Sequence, residues 1–333
     1  MKQRGRGAAI VVLALLAAVV ASLALGARPI DLSTVMTAIV RPEWPTLDPI
    51  DAVVVRELRV PRTIVGLLAG AALGIAGAVM QGVTRNPIAD PGLLGVSAGA
   101  SFAIVVGLSI GVSGTLPLAA TALLGALLAS AVIAVLAARP RIANAPALLV
   151  VAGSAITALL VSATQLLLLS DPEALDQYRF WTVGALTART LSDALALAPV
   201  LAVGAVVAAL LARALDALAL GDDVARGLGF GVRTSRAWSL VAIVLLAGTA
   251  TALAGPIVFV GLVGAHLARR LAGPGHGMLL PLSGLAGAAL LLVADTLGRL
   301  VAPPGEIEAG IVVAVLGAPV LIGLVRSRLG AAL

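Results

Sequence analysis

An all-α polytopic membrane protein of about ten spanning helices is the fold class this sequence predicts, on three observations. Of its 333 residues, 60% are apolar, roughly 200 in all, which is about ten spans at ~20 residues each. Only 11% are charged, about half of the ~25% carried by a soluble domain. The 22 basic residues fall in short clusters with Asp, Pro and Gly, between long apolar runs. Ordinary globular, disordered, collagen-like and disulfide-framed classes are excluded together.

The runs place ten helices at roughly 8–26, 61–82, 92–112, 115–137, 146–169, 192–212, 237–254, 256–270, 279–300 and 307–325. The first follows Lys2, Arg4 and Arg6 and is about 18 residues long. A secretory h-region runs to ~7–15, so this one reads as a retained helix rather than a cleaved signal. The second carries Gly66, Gly70 and Gly74 every four residues, and the third carries Gly95 and Gly99. Small residues at that spacing let backbones approach where lipid supplies no hydrophobic drive. The seventh stops at Gly255-Pro256, a helix break rather than a long loop.

An even number of spans puts both termini on one side. That side collects 14 of the 22 basic residues: Lys2, Arg4, Arg6, Arg85, Arg139, Arg141, Arg213, Arg226, Arg233, Arg236, Arg269, Arg270, Arg326 and Arg328. The other side holds 8: Arg28, Arg41, Arg56, Arg59, Arg62, Arg179, Arg189 and Arg299. The positive-inside rule therefore makes the termini cytoplasmic. The pI of 11.2 is explained by this loop asymmetry and points to no nucleic-acid partner. Residues 1–333 read as one transmembrane domain, with 213–236 as its longest cytoplasmic loop.

The residues that are missing narrow the chemistry. Lys2 is the sole lysine and no phosphate-binding Gly-x-x-x-x-Gly-Lys run exists, so this chain has no P-loop of its own. There is no cysteine, and His266 and His276 are the only histidines. No metal site, cofactor or catalytic residue is predicted. Gly227, Gly229 and Gly231 follow no strand and read as a turn, not a dinucleotide fingerprint.

Three stretches are specific. The first is Leu58-Arg59-Val60-Pro61-Arg62, continuing to Arg85-Asn86-Pro87-Ile88-Ala89-Asp90-Pro91-Gly92 and Ser97-Ala98-Gly99. The second is Leu218-Ala219-Leu220-Gly221-Asp222-Asp223-Val224-Ala225-Arg226-Gly227-Leu228-Gly229. The third runs from Gly255-Pro256-Ile257-Val258-Phe259 through His266, Leu280-Pro281-Leu282-Ser283 and Asp295 to Pro303-Pro304-Gly305-Glu306 and Leu316-Gly317-Ala318-Pro319. Together, from about Arg56 to Arg328, they resemble the FecCD/BtuC family of ABC-transporter permeases, importers of iron–siderophore complexes, haem and vitamin B12.

The resemblance implies a BtuC-like permease in the bacterial inner membrane. Its implied partners are a second permease copy (identical or related), two ATP-binding Walker A subunits and an extracytoplasmic substrate-binding protein. Arg59, Arg62 and Arg299 would form an outer rim whose guanidinium forks meet the acids of that binding protein. Asn86 and Ile88 would close an inner gate against their symmetry mates, in a turn that Pro87 enforces. A companion gate falls at Ala145-Pro146-Ala147, where the family often has small polar residues. Gly221, Asp222, Ala225, Arg226 and Gly229 would belong to the coupling helices seated in the ATPase, with Asp222 and Asp223 favouring the positive helix end. His266, preceded here by Ala265 where the family commonly has Pro, reads as structural or interfacial.

Asp295 is the one acid deep in a span, a functional hypothesis by default. Arg299 follows it by four residues on the same helix face, so an ion pair is the expectation rather than a proton relay. A proton-coupled secondary transporter would need acids or bases in several spans. Within the family, an iron(III)–siderophore is the expected cargo by frequency, with haem and cobalamin as alternatives.

Overall fold

Backbone polar groups in lipid must be satisfied within the segment, so long apolar runs fold as helices. The computed structural model describes residues 2–41, 47–137, 146–187, 189–273, 275–303 and 305–329. Its helices are α1 (Lys2–Ala24), α2 (Leu32–Val40), α3 (Pro49–Thr84), α4 (Val96–Ser109), α5 (Thr115–Ala137), α6 (Pro146–Ser170) and α7 (Pro172–Thr182). They continue as α8 (Leu191–Leu210), α9 (Ala212–Ala219), α10 (Asp222–Gly227), α11 (Val232–Ala254), α12 (Val260–Ala272), α13 (His276–Val301) and α14 (Ala309–Leu329). Among the described residues 8 helices are long and apolar enough to span; α4 and α12 are shorter. These are the ten expected helices, and no described residue forms a strand.

The differences lie where polarity hides a helix. α2 and α7 are short outer helices inside stretches read as loops, and α9 extends the bundle where a loop was expected. α3 starts twelve residues early and runs through a π-turn at Val54–Arg59. Its first residues belong to a polar segment capped by Asp48, whose carboxylate accepts from the Ile50 amide at 2.8 Å. Helix ends elsewhere follow local chemistry. Asp171 caps α7 through the Ala174 amide, and Thr190 with Asp193 forms a reciprocal capping box on α8. Gly255, at φ +76°, ends α11, where the sequence places the break.

The centre of the molecule is the α3–α13 pair. Their most apolar windows are 72% and 67% buried, against 17% for α6 and α14, so the latter two lie at the periphery. The glycine row makes the central contact possible. A Cβ on Gly70 would lie 2.6 Å from Ala288 Cα, and one on Gly287 would lie 2.3 Å from the Gly70 carbonyl oxygen. Neither distance is tolerable, so the two backbones touch through glycine on both sides. Gly95 departs from the expectation: it is the left-handed residue, φ +69°, between the 3-10 turn Pro91–Leu94 and α4. Gly99 alone takes the packing role, against Gly125 of α5.

Candidate functional site

The polar residues gather at the two ends of the bundle. At the outer end, α1 finishes, α3 begins and α13 ends beside one another. Asp295 is fully buried, and a lone carboxylate there would be prohibitively costly. Arg62 supplies its charge from α3: Nε donates to both carboxylate oxygens at 2.9 and 3.0 Å. Arg299 lies 3.2 Å away on α13 itself. Arg62 also reaches Glu306 at 2.7 Å.

Arg299 donates onward to the carbonyls of Ser22 and Leu25, both at 3.1 Å, and to Ser22 Oγ and Thr296 Oγ1, both at 3.2 Å. Arg59 donates to the carbonyls of Leu23, at 2.7 Å, and Arg28. Two arginines therefore saturate the carbonyls at the C-terminal end of α1, groups that a helix leaves unpaired. Ser22 and Thr63 share a hydrogen bond of 2.8 Å across the same junction.

The three arginines of the expected rim are thus engaged within this chain. Arg59 and Arg299 are 5% and 6% exposed, and Arg62 faces two carboxylates. None of the three offers a free fork to the outside. Burial of Asp295 is the physical reason, because it draws cations inward, and α1 provides carbonyls for their remaining donors. Arg56, one turn earlier, is exposed.

At the inner end, Asn86 is exposed and its Oδ1 accepts from the Ile88 amide at 3.2 Å, while its carbonyl accepts from Ala89. The turn that Pro87 enforces is thus also held by an Asx bond. Ile88 is half-buried. Of the companion gate, Ala145 lies outside the described residues, as do the side chains of Pro146 and Ala147. Asp90 closes the turn: its carboxylate accepts from the amides of Gly92, at 2.9 Å, and Phe259. Desolvation pushes this carboxyl above the usual range, and the two amides pull it back.

The 213–236 loop folds into α9, α10 and the start of α11. Gly221 (φ +116°) and Gly229 (φ +85°) bracket α10 in conformations that favour glycine. Asp223 pairs with Arg226 at 2.5 Å, and both are exposed. Ala225 was expected on the partner-facing surface, but it is completely buried and packs into the main core. It anchors α10 to the bundle. Beside the exposed Asp223 and Arg226, the apolar Leu220, Val224 and Leu228 are exposed by 67%, 47% and 58%. Leu220 caps α9, Val224 lies on α10 and Leu228 caps α10, so the three come from two short helices parted at Gly221.

Two further contacts were not anticipated. Asp222 binds both Arg85, at the end of α3, and Arg236, on α11. Asp216 on α9 accepts from the backbone amide of His276 at 2.8 Å and meets its Nδ1 at 2.7 Å. Both link residues far apart in the chain, and no local spacing announces them. His266 is half-buried on α12.

Known proteins share this arrangement. The model of the FecCD transport family matches residues 14–327. The chain is 46% identical over 318 residues to the ferric enterobactin transport system permease protein FepD of Escherichia coli K12, covering 95% of this chain and 93% of that one. It is 39% identical over 277 residues to the hemin transport system permease protein HmuU of Yersinia pestis, covering 81% and 82%. A solved structure described as an inward-facing conformation of a putative metal-chelate type ABC transporter superposes with a TM-score of 0.83 at 26% identity, covering 96% of this chain and 98% of that one. The ten helices, the paired polar ends and these likenesses agree: this chain is a multi-pass membrane permease and belongs to the FecCD transport family.

Proposed function

We propose that this chain is the permease of a binding-protein-dependent ABC importer for iron(III)–siderophore complexes, working as a pair with two ATP-hydrolysing subunits. The observation that carries the reading is the exposure of three apolar residues, Leu220, Val224 and Leu228, on and beside the short helix α10. Apolar side chains there are a docking surface for a soluble partner, and a chain with one lysine and no P-loop needs its nucleotide chemistry supplied by such a partner. The chain itself performs no bond chemistry.

Nucleotide bound by the partners would favour one of two arrangements of the spans, as any population shift requires. Asn86 and Ile88 would meet their mates from the second copy and close the inner side. An outer binding protein would deliver cargo. To dock through Arg59, Arg62 and Arg299, its carboxylates must take these forks from the α1 carbonyls and Asp295, so docking and loosening of α1 would be one event. Asp295, held between two arginines, is poorly placed to shuttle protons, which argues against a proton-coupled carrier. The siderophore assignment follows the 46% identity to a ferric enterobactin permease over nearly the whole chain.

The test is reconstitution in liposomes with a candidate ATPase and binding protein from the same source. ATP-dependent uptake of labelled ferric siderophore is the expected result. Uptake of haem or cobalamin alone would replace the cargo. Uphill uptake by the purified chain with no second polypeptide would overturn the mechanism. An Arg59→Glu variant should lose the binding protein in pull-down while retaining the ATPase.

A further inference from the structure

The end of α3 is closed by Arg85 at φ +52°, ψ +30°. Eight glycines take positive φ among the described residues, and only two other side chains do so: Arg85 and Phe259. A left-handed C-cap is the place where glycine is free of strain, so an arginine there directs attention to what its side chain touches. That side chain binds Asp222, the first residue of α10, 137 positions away. Asp222 also accepts from Arg236 Nη2, at 3.0 Å to each oxygen.

Phe259, the other strained residue, marks the far end of the same turn. Its amide is held by Asp90, which also holds Gly92. The segment 85–92, with Asn86 and Ile88 between, is therefore fastened at both ends: to α10 through Arg85, and to the start of α12 through Asp90. Exposed ion pairs contribute little to stability. What this pair supplies is geometric, because it ties the start of the 85–92 segment to α10. With no neighbour close to a Cβ on Gly221, Gly227 or Gly229, α10 has open space on its glycine ends.

We propose that Arg85 is a positioning residue that transmits the displacement of α10 to the gate turn at Asn86 and Ile88. This rests on the functional reading above, in which a partner ATPase moves α10. The experiment compares wild-type and Arg85→Gly permease, each assembled with its ATPase and binding protein in liposomes, and measures uptake and ATP hydrolysis on the same vesicles. Glycine suits the left-handed turn, so the variant should fold and melt at or above the wild-type temperature. It should hydrolyse ATP normally while its uptake per ATP falls roughly fivefold or more, the low end of couplings between sites. Arg85→Lys, which keeps the charge, should recover part of that ratio. An unchanged uptake-to-hydrolysis ratio in Arg85→Gly overturns the proposal. A wild-type complex with no ATP-driven uptake fails differently, since it removes the importer reading itself.

Discussion

The two polar ends of this bundle use the same residue types in opposite ways. At the outer end, Arg59, Arg62 and Arg299 are turned inward, and their donors are met by Asp295, Glu306 and the carbonyls that end α1. At the inner end, Arg85, Arg226 and Arg236 lie at the surface on Asp222 and Asp223, beside three exposed apolar residues. The first is a closed network within one chain, and the second is an open surface. Burial makes the difference: a carboxylate buried among helices must gather cations, whereas charges in water pair weakly and remain available.

The sharpest way to break the comparison is Asp295→Asn. It leaves Arg62 and Arg299 facing a neutral group at a buried site, and a loss of about 3–5 kcal/mol is expected, measured as a fall in the melting temperature of the detergent-solubilised protein. A variant as stable as wild type would mean the outer network is no clamp. Arg59→Ala comes next. It removes the donors to the Leu23 carbonyl of α1 and the Arg28 carbonyl beyond it, but it also relieves repulsion with Arg299, so a loss of about 1–2 kcal/mol is expected by the same assay.

At the inner end the expected pattern reverses. Replacing Leu220, Val224 and Leu228 together by Asp should leave the melting temperature unchanged, because all three are exposed. Affinity for the partner ATPase should drop at least tenfold, about 1.4 kcal/mol, in a titration with the purified subunit. A drop in melting temperature instead would place these residues inside the fold.

The smallest effect is a pH slope at the outer end. Desolvation, followed by the nearby charge of Glu306, pushes the Glu308 carboxyl up, and Arg62 pulls the other way. The folded state then holds a proton that the unfolded chain releases near its ordinary pKa of about 4.3. Stability should therefore decline as pH rises from that value through the raised one. Glu308→Gln should flatten this slope in melting curves taken between about pH 4 and pH 7.

Much of the candidate site was legible. The turn at Asn86–Ile88 follows from Pro87, and the short helix after Gly221 follows from two acids and bracketing glycines. Arg299 beside Asp295 follows from a spacing of four. The exposure of Leu220, Val224 and Leu228 was not legible, because apolar residues in a mostly apolar chain carry no sign of which ones packing leaves uncovered. Ala225 shows the converse: an unremarkable alanine in a polar loop is the residue that packs inward.

By itself the sequence determined that the chain lives in lipid and where its ten apolar helices fall. Hydropathy and helix-breaking residues are local properties, and each acts over a window of about one span. Only the tertiary structure decided which way the arginines point and which acid each one meets. Arg62 finds Asp295 across 233 residues and Glu306 across 244, and Arg85 finds Asp222 across 137. Such partners are set by how glycine-lined helices bring distant ends together, and the cost of leaving a buried charge unpaired then selects among the neighbours that packing provides.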